Sequence, residues 1–183
     1  LGKLALAFLF AAAFPAYAGL LGQAGDALVD GETDGAEALV ERYVAGDPSG
    51  YLANDALEAL YLIRAKGTAP EVISSFLYGL DALDDGDEIG AGERFAELAD
   101  DKRLPWEVRG RAAILTARLT HFEEAVDMLT DVWDDADDLE IRKAAAVALA
   151  GLYREEGREE DAAELAVEYA KVFPEGPDLF GVD

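Results

Sequence analysis

From Asp34 onward the apolar residues of this chain recur every three to four positions and do not alternate. Such spacing lays a greasy stripe along one side of a helix, whereas a half-buried strand needs a period of two. Ala36, Leu39, Val40 and Tyr43 form the first face, and Gly46 closes that helix. Leu57, Leu60 and Tyr61 form the expected inner face of the next, with Asn54 as its cap and Gly67 at its end. Thr68 and Glu71 fit a capping box around Pro70, ahead of a core stripe of Val72, Phe76, Leu80 and Leu83. A shorter helix carries Phe95 and Leu98. Pro105 opens one presenting Val108, Ala112, Leu115 and Leu119, and the next presents Phe122, Ala125, Leu129 and Trp133. Two more are expected over about 138–155 (Ile141, Ala145, Leu149, Leu152) and 159–172 (Ala162, Ala166, Tyr169). Connections of a few residues imply that consecutive helices lie antiparallel. The expected fold class is all-α.

The last two helix pairs repeat one another. Val108-Arg109-Gly110-Arg111-Ala112-Ala113 aligns with Ile141-Arg142-Lys143-Ala144-Ala145-Ala146, and Phe122-Glu123-Glu124-Ala125 aligns with Glu159-Glu160-Asp161-Ala162. A spacing in the thirties is that of helix-pair solenoids. Leu149, Ala150, Tyr153, Gly157, Ala162 and Pro174 resemble a tetratricopeptide repeat (TPR): a Leu and a small residue, the helix end and its turn, the close-packing alanine, and the closing proline. Ala146, Glu159 and Tyr169 depart from that pattern. In the preceding pair, Thr120, Phe122 and Ala125 carry the likeness. The Val/Ile-Arg-x-x-Ala-Ala phrases also resemble HEAT-like repeats, so the family stays open between the two. Both resemblances imply an α-solenoid of antiparallel helix pairs. Here the TPR-like pairs would span about 105–135 and 138–174, within one helical-repeat domain over 19–183.

The first residues read differently. Lys3 precedes an apolar run from Leu4 to Phe14, Pro15 breaks it, and Ala16-Tyr17-Ala18 supplies small residues at both positions of a cleavage site. That layout matches a secretory signal peptide cut after Ala18. The run falls short of the roughly 20 apolar residues that span a bilayer. Residues 1–18 are expected to be a removed signal peptide or a retained N-terminal hydrophobic helix, and both readings stay open. In either case the chain is expected to be exported, to the periplasm, the cell surface or the extracellular space. Membrane contact is expected only in passing, through this segment.

Charge narrows the partners. Asp and Glu number 39 against 15 Lys and Arg, a net charge of −24. Such a surface repels phosphate backbones, so no nucleic acid is expected as a partner. Cysteine is absent, which removes disulfides, thiolate-bound zinc and a cysteine nucleophile together.

No site of chemistry stands out in the sequence. His121, the one histidine, stands at a turn with no second histidine for a relay or a metal. Ser49 lies in a Pro-Ser-Gly turn, and Ser74 and Ser75 within a helix, outside any nucleophile-elbow sequence. Gly90-Ala91-Gly92 lacks the lysine and the flanking strand of a phosphate loop. The stretch from Asp81 to Ile89 has carboxylates around Gly86, as a calcium loop does. Leu83 would nevertheless hold a ligand position and Gly92 the place of the closing glutamate, so a solvated linker is expected. Asp134, Asp135, Asp137 and Asp138 form a second acidic run, in which Asp137 or Asp138 is expected to cap the following helix. Trp106, Phe122 and Trp133 fall on apolar faces and are expected to pack in the core. No catalytic, cofactor-binding or metal-binding residue is assigned, and neither a cofactor nor a small-molecule substrate is expected. The chain is expected to be a non-enzymatic scaffold for protein partners. Those are copies of itself packed end to end in a filament or surface structure or, alternatively, another envelope protein gripped by an adaptor.

Overall fold

A computed structural model of the protein describes residues 17–65 and 67–174. The expected signal peptide or hydrophobic helix therefore lies outside the described residues, apart from Tyr17 and Ala18. The described residues are all-α and include α1 (Leu20–Val29), α2 (Thr33–Gly46), α3 (Ala53–Arg64), α4 (Pro70–Asp84) and α5 (Glu88–Asp100). After these come α6 (Trp106–Ala117), α7 (Phe122–Asp135), α8 (Leu139–Glu155) and α9 (Glu159–Val172). They form two compact units, one up to Arg94 and one from Phe95 on.

In the first unit each helix packs on the next, and α1 also packs on α4, so the four-helix series closes into a ring. The α1–α4 seam is close because α1 offers glycines. A Cβ on Gly22 would sit 2.5 Å from the Asp81 carboxylate, and one on Gly25 would sit 2.8 Å from the Tyr78 ring. Leu21, Ala24, Val40, Leu52, Ala56, Phe76, Leu77 and Leu80 fill the middle and are almost wholly buried. Each large apolar side chain so buried contributes on the order of 1.5–3 kcal/mol.

Polar ties fasten the ring from outside. The Tyr43 hydroxyl donates to Asp84 Oδ1 at 2.8 Å, and the Tyr51 hydroxyl to the Leu83 carbonyl at 2.6 Å. Arg64 bridges from α3 to Glu37 and Glu41 on α2, with its Nε 2.9 Å from Glu37 Oε2.

The second unit has a different order of contacts. Helices α6 to α9 again pack each on the next, and α6 also touches α8. Gly110 makes that extra contact possible, since a Cβ there would meet Ile141 Cγ2 at 2.3 Å. Both expected Val/Ile-Arg phrases serve this unit. Arg109 lies 3.4 Å from the centre of the Trp106 ring, while Arg142 lies 5.0 Å from that of Trp133 and donates to the Trp133 carbonyl at 2.7 Å. Trp133, Tyr169 and Phe173 form an aromatic cluster, with Trp133 and Tyr169 stacked at 6.3 Å.

Several local expectations need correction. Helix α1 precedes Asp34, where none is expected. Helix α3 turns Ala53, Ala56, Ala59, Leu60 and Ile63 inward, leaving Leu57 and Tyr61 about half exposed. Its alanines let α3 lie close to its neighbours, while Leu57 and Tyr61 face out. Asn54 lies inside α3 and does not cap it, because Leu52 is the N-cap residue. Thr68 and Glu71 form no capping box. Pro70 is the first residue of α4, which makes Ala69 the N-cap, with no side-chain hydrogen bond. By contrast, Asp138 caps α8, accepting from the Glu140 and Ile141 N–H groups at 2.8 and 3.0 Å.

Candidate functional site

A groove of about 570 Å3 lies within the second unit between α6, α7 and α8. Ile114 and Ala117 line it from α6, Phe122 and Leu129 from α7, and Ala148 and Leu152 from α8. Small residues on both helices leave it room: Ala117 on α6, and Ala148 and Gly151 on α8. Arg118, Glu155 and Glu156 give the groove a mixed charged rim.

Phe122 is held in place. Its ring meets Tyr153 edge-on at 6.4 Å, and the Arg158 guanidinium lies 5.4 Å from the centres of both rings. Arg158 is anchored in turn by Asp161, at 2.7 and 2.9 Å. Burial raises the Tyr153 hydroxyl above the usual phenol range, and the Asp161 carboxylate adds to the shift.

A smaller crevice of about 170 Å3 lies between α7, α8 and α9. Trp133, Leu149 and Tyr153 line it together with Asp134, Asp161, Glu164 and Glu168. These carboxylates do not converge as metal ligands do, and no group of three or more His, Asp or Glu side chains among the described residues could hold a metal ion.

The acidic stretch from Asp81 to Ile89 is a helix junction. Gly86, at φ 80°, ends α4 in a left-handed cap in which the Asp87 N–H reaches the Ala82 carbonyl at 2.8 Å. Asp87 then accepts from the Gly90 N–H at 3.0 Å, and Asp84 is taken up by Tyr43. The same cap recurs at Gly157, where the Arg158 N–H reaches the Tyr153 carbonyl at 2.7 Å.

His121 is the exposed N-cap residue of α7, and its carbonyl accepts from the Ala125 N–H at 2.9 Å. Ser74 is buried and donates to the Gly25 carbonyl at 2.7 Å, a bond that fastens α4 to α1. Ser49 Oγ lies 3.4 Å from Asp47 Oδ1 in an exposed turn. Gly90 and Gly92 belong to α5. The residues weighed for chemistry thus each serve their own local contact. Sequence reasoning missed the groove, because the aligned phrases match Gly110 with Lys143 and say nothing of its contact with Ile141.

No protein-family model matches this chain, and no solved structure matches it. It is similar over 65 residues, at 42% identity, to a probable transport protein, MmpL9, of Mycobacterium tuberculosis. The likeness covers 36% of this chain and 7% of that protein. Among the described residues no helix is long and apolar enough to cross a membrane.

Proposed function

We propose that this chain is an exported, non-enzymatic scaffold that holds another protein, with the second unit as its contact face. The observation that carries this reading is the groove between α6 and α8. Apolar floors with a charged rim suit a protein segment better than a small polar substrate. Support also comes from the order of contacts through α6–α9, in which the first helix of each pair touches the next. Tetratricopeptide-like or HEAT-like repeats stack in that order, and stacks of this kind act through extended surfaces. The net charge of −24 favours a partner that presents basic residues.

The test is affinity capture from the source envelope with the wild-type chain and with Phe122→Ala/Leu152→Glu. A stoichiometric protein retained by the first and lost by the second supports the reading. Equal retention by both moves the contact off the groove. Export rests on the layout of residues 1–18 and is tested by the N-terminal mass of the native protein.

Self-assembly is the second reading, favoured by exposed apolar residues on the last two helices. Leu139, Val147 and Val167 are half exposed or more, and Val172 is 37% exposed. End-to-end packing through such residues gives a filament. Copies carrying this charge repel unless salt screens them. Light scattering should then show growth as ionic strength rises; a monomer at every salt concentration ends this reading.

A further inference from the structure

Helix α4 presents Ser74, Tyr78 and Asp81 along one stripe to the glycine-bearing side of α1. The first two are donors: Ser74 to the Gly25 carbonyl at 2.7 Å, and Tyr78 to Asp26 Oδ1 at 2.7 Å. Asp81 stands at the end of the stripe, against Gly22. As a carboxylate it has nothing to donate, and its Oδ1 is buried without a hydrogen-bond partner. We propose that the α1–α4 seam is an acid-tightened contact, in which protonation of Asp81 removes a poorly solvated charge from the end of the stripe.

The surroundings favour the neutral form. Burial is the largest influence and raises the Asp81 carboxyl above the usual carboxylate range; the Gly22 N–H pulls the other way. The charged groups acting on it are all negative: Asp26 from α1, and Asp84 and Asp85 from its own helix and cap. Asp84 is itself held by Tyr43 of α2. Helix α3, also packed on α4, carries Asp55, Glu58 and Arg64, the last turned toward Glu37 and Glu41. The sign follows from linkage. A carboxyl whose folded-state pKa is raised binds protons more readily folded than unfolded, so the fold gains as pH falls through that raised value.

Hydrogen exchange on the full chain, read as protection factors for the amides of α1 and α4 at pH 7.5 and pH 5, tests the proposal. Wild type should gain protection on acidification, the direction linkage gives for a carboxyl whose folded-state pKa is raised. Asp81→Asn should show the raised protection at pH 7.5 and little further gain. Asp34→Asn, which removes an equal charge on α2 away from the seam, should retain the wild-type gain. Ser74→Ala should lose protection equally at both pH values. If Asp81→Asn keeps the wild-type gain or weakens the seam at both pH values, the proposal is overturned. It is overturned equally if Asp34→Asn or Ser74→Ala abolishes the gain.

Discussion

Each unit holds one close contact between helices that are not neighbours in sequence, but the contacts skip different distances. In the first, α1 reaches α4, three helices on, through Gly22 and Gly25. In the second, α6 reaches α8, two helices on, through Gly110. The helices themselves are alike: 10–15 residues in the first ring, 12–17 in the second series, joined by short turns. Local propensity therefore cannot account for the difference. The glycines account for it, because removing a Cβ lets a second backbone or a bulky side chain approach where none otherwise fits. A ring buries its faces inward, whereas a skip of two leaves a groove between the first members of the pairs.

The hardest blow to this comparison is a branched side chain at Gly110. Ile141 is 2% exposed and stiff at χ1, so it cannot turn aside from a new Cβ. Gly110→Val is expected to cost about 3 kcal/mol, the upper end for overpacking. Both tryptophans, Trp106 and Trp133, belong to the second unit, so their fluorescence in a urea titration follows that unit alone. Tyrosine hydrogen-bonding and circular dichroism report more on the first, which holds five of the seven tyrosines. The expected result is an early tryptophan transition, with dichroism, which reads helix in both units, showing that loss and a later one. Adding Ile141→Ala should return part of the loss, as coupled neighbours do. An unchanged tryptophan midpoint in Gly110→Val would show that the contact with α8 is dispensable.

Gly25 should respond more mildly. The atom its Cβ would meet is on the Tyr78 ring, a half-buried side chain that can swing if it releases Asp26. Alanine also gains about 1 kcal/mol over glycine within a helix, which offsets part of the clash. The net cost of Gly25→Ala is expected at about 1 kcal/mol, visible in dichroism and absent from tryptophan fluorescence. A stabilised protein would mean that α1 and α4 have room to spare, and the ring would owe its closure to something other than its glycines.

Much of the second unit was legible in the sequence, and less of the first. Helix α9 runs over 159–172 as the spacing implied, and α8 begins where Asp138 caps it. There large apolar residues, a capping aspartate and Gly157 all point to the same boundaries. Helix α1 escaped because Leu20 and Leu21 adjoin the apolar run of 1–18 and read as its tail, although Leu20, Leu21, Ala24 and Leu28 have helical spacing. On helix α3 Leu60 lies inward as expected, but Leu57 and Tyr61 do not, because hydrophobicity ranks them above Ala53, Ala56 and Ala59. Close packing prefers the alanines. Which non-neighbouring helices meet is a tertiary fact, and for the same reason neither the ring nor the groove could be read from a stripe pattern.

Caps give a finer comparison between the units. Asp138→Ala removes two hydrogen bonds from α8 and should cost about 1 kcal/mol, lowering the tryptophan midpoint. Asn54→Ala in the first unit should cost nothing measurable or stabilise slightly, since Asn54 is an exposed helical residue where alanine is the better helix former. Equal losses in both variants would restore Asn54 as a cap.

The smallest expected effect sets two carboxyls against each other by the sign of their pH response. Asp101, in the second unit, accepts from the Arg103 side chain at 2.8 and 2.6 Å and from its backbone N–H at 3.0 Å. The Arg103 side chain is the larger cause and the backbone bond the next, and together they hold the Asp101 carboxyl down to about 2. A depressed folded-state value means the contribution is present above the ordinary carboxylate range and is lost as pH falls toward 2. Asp81, in the first unit, is raised and runs the other way. Because this is a surface pair with the Arg103 side chain 89% exposed, no measurable change in the unfolding midpoint is expected from it, and titration by NMR is the sensitive measurement. The Asp101 midpoint should stand near 2 in wild type and return to the ordinary carboxylate range in Arg103→Ala, with the Asp81 midpoint unmoved. If the Asp101 midpoint stays put without the arginine, the hydrogen bonds named here are not what lowers it.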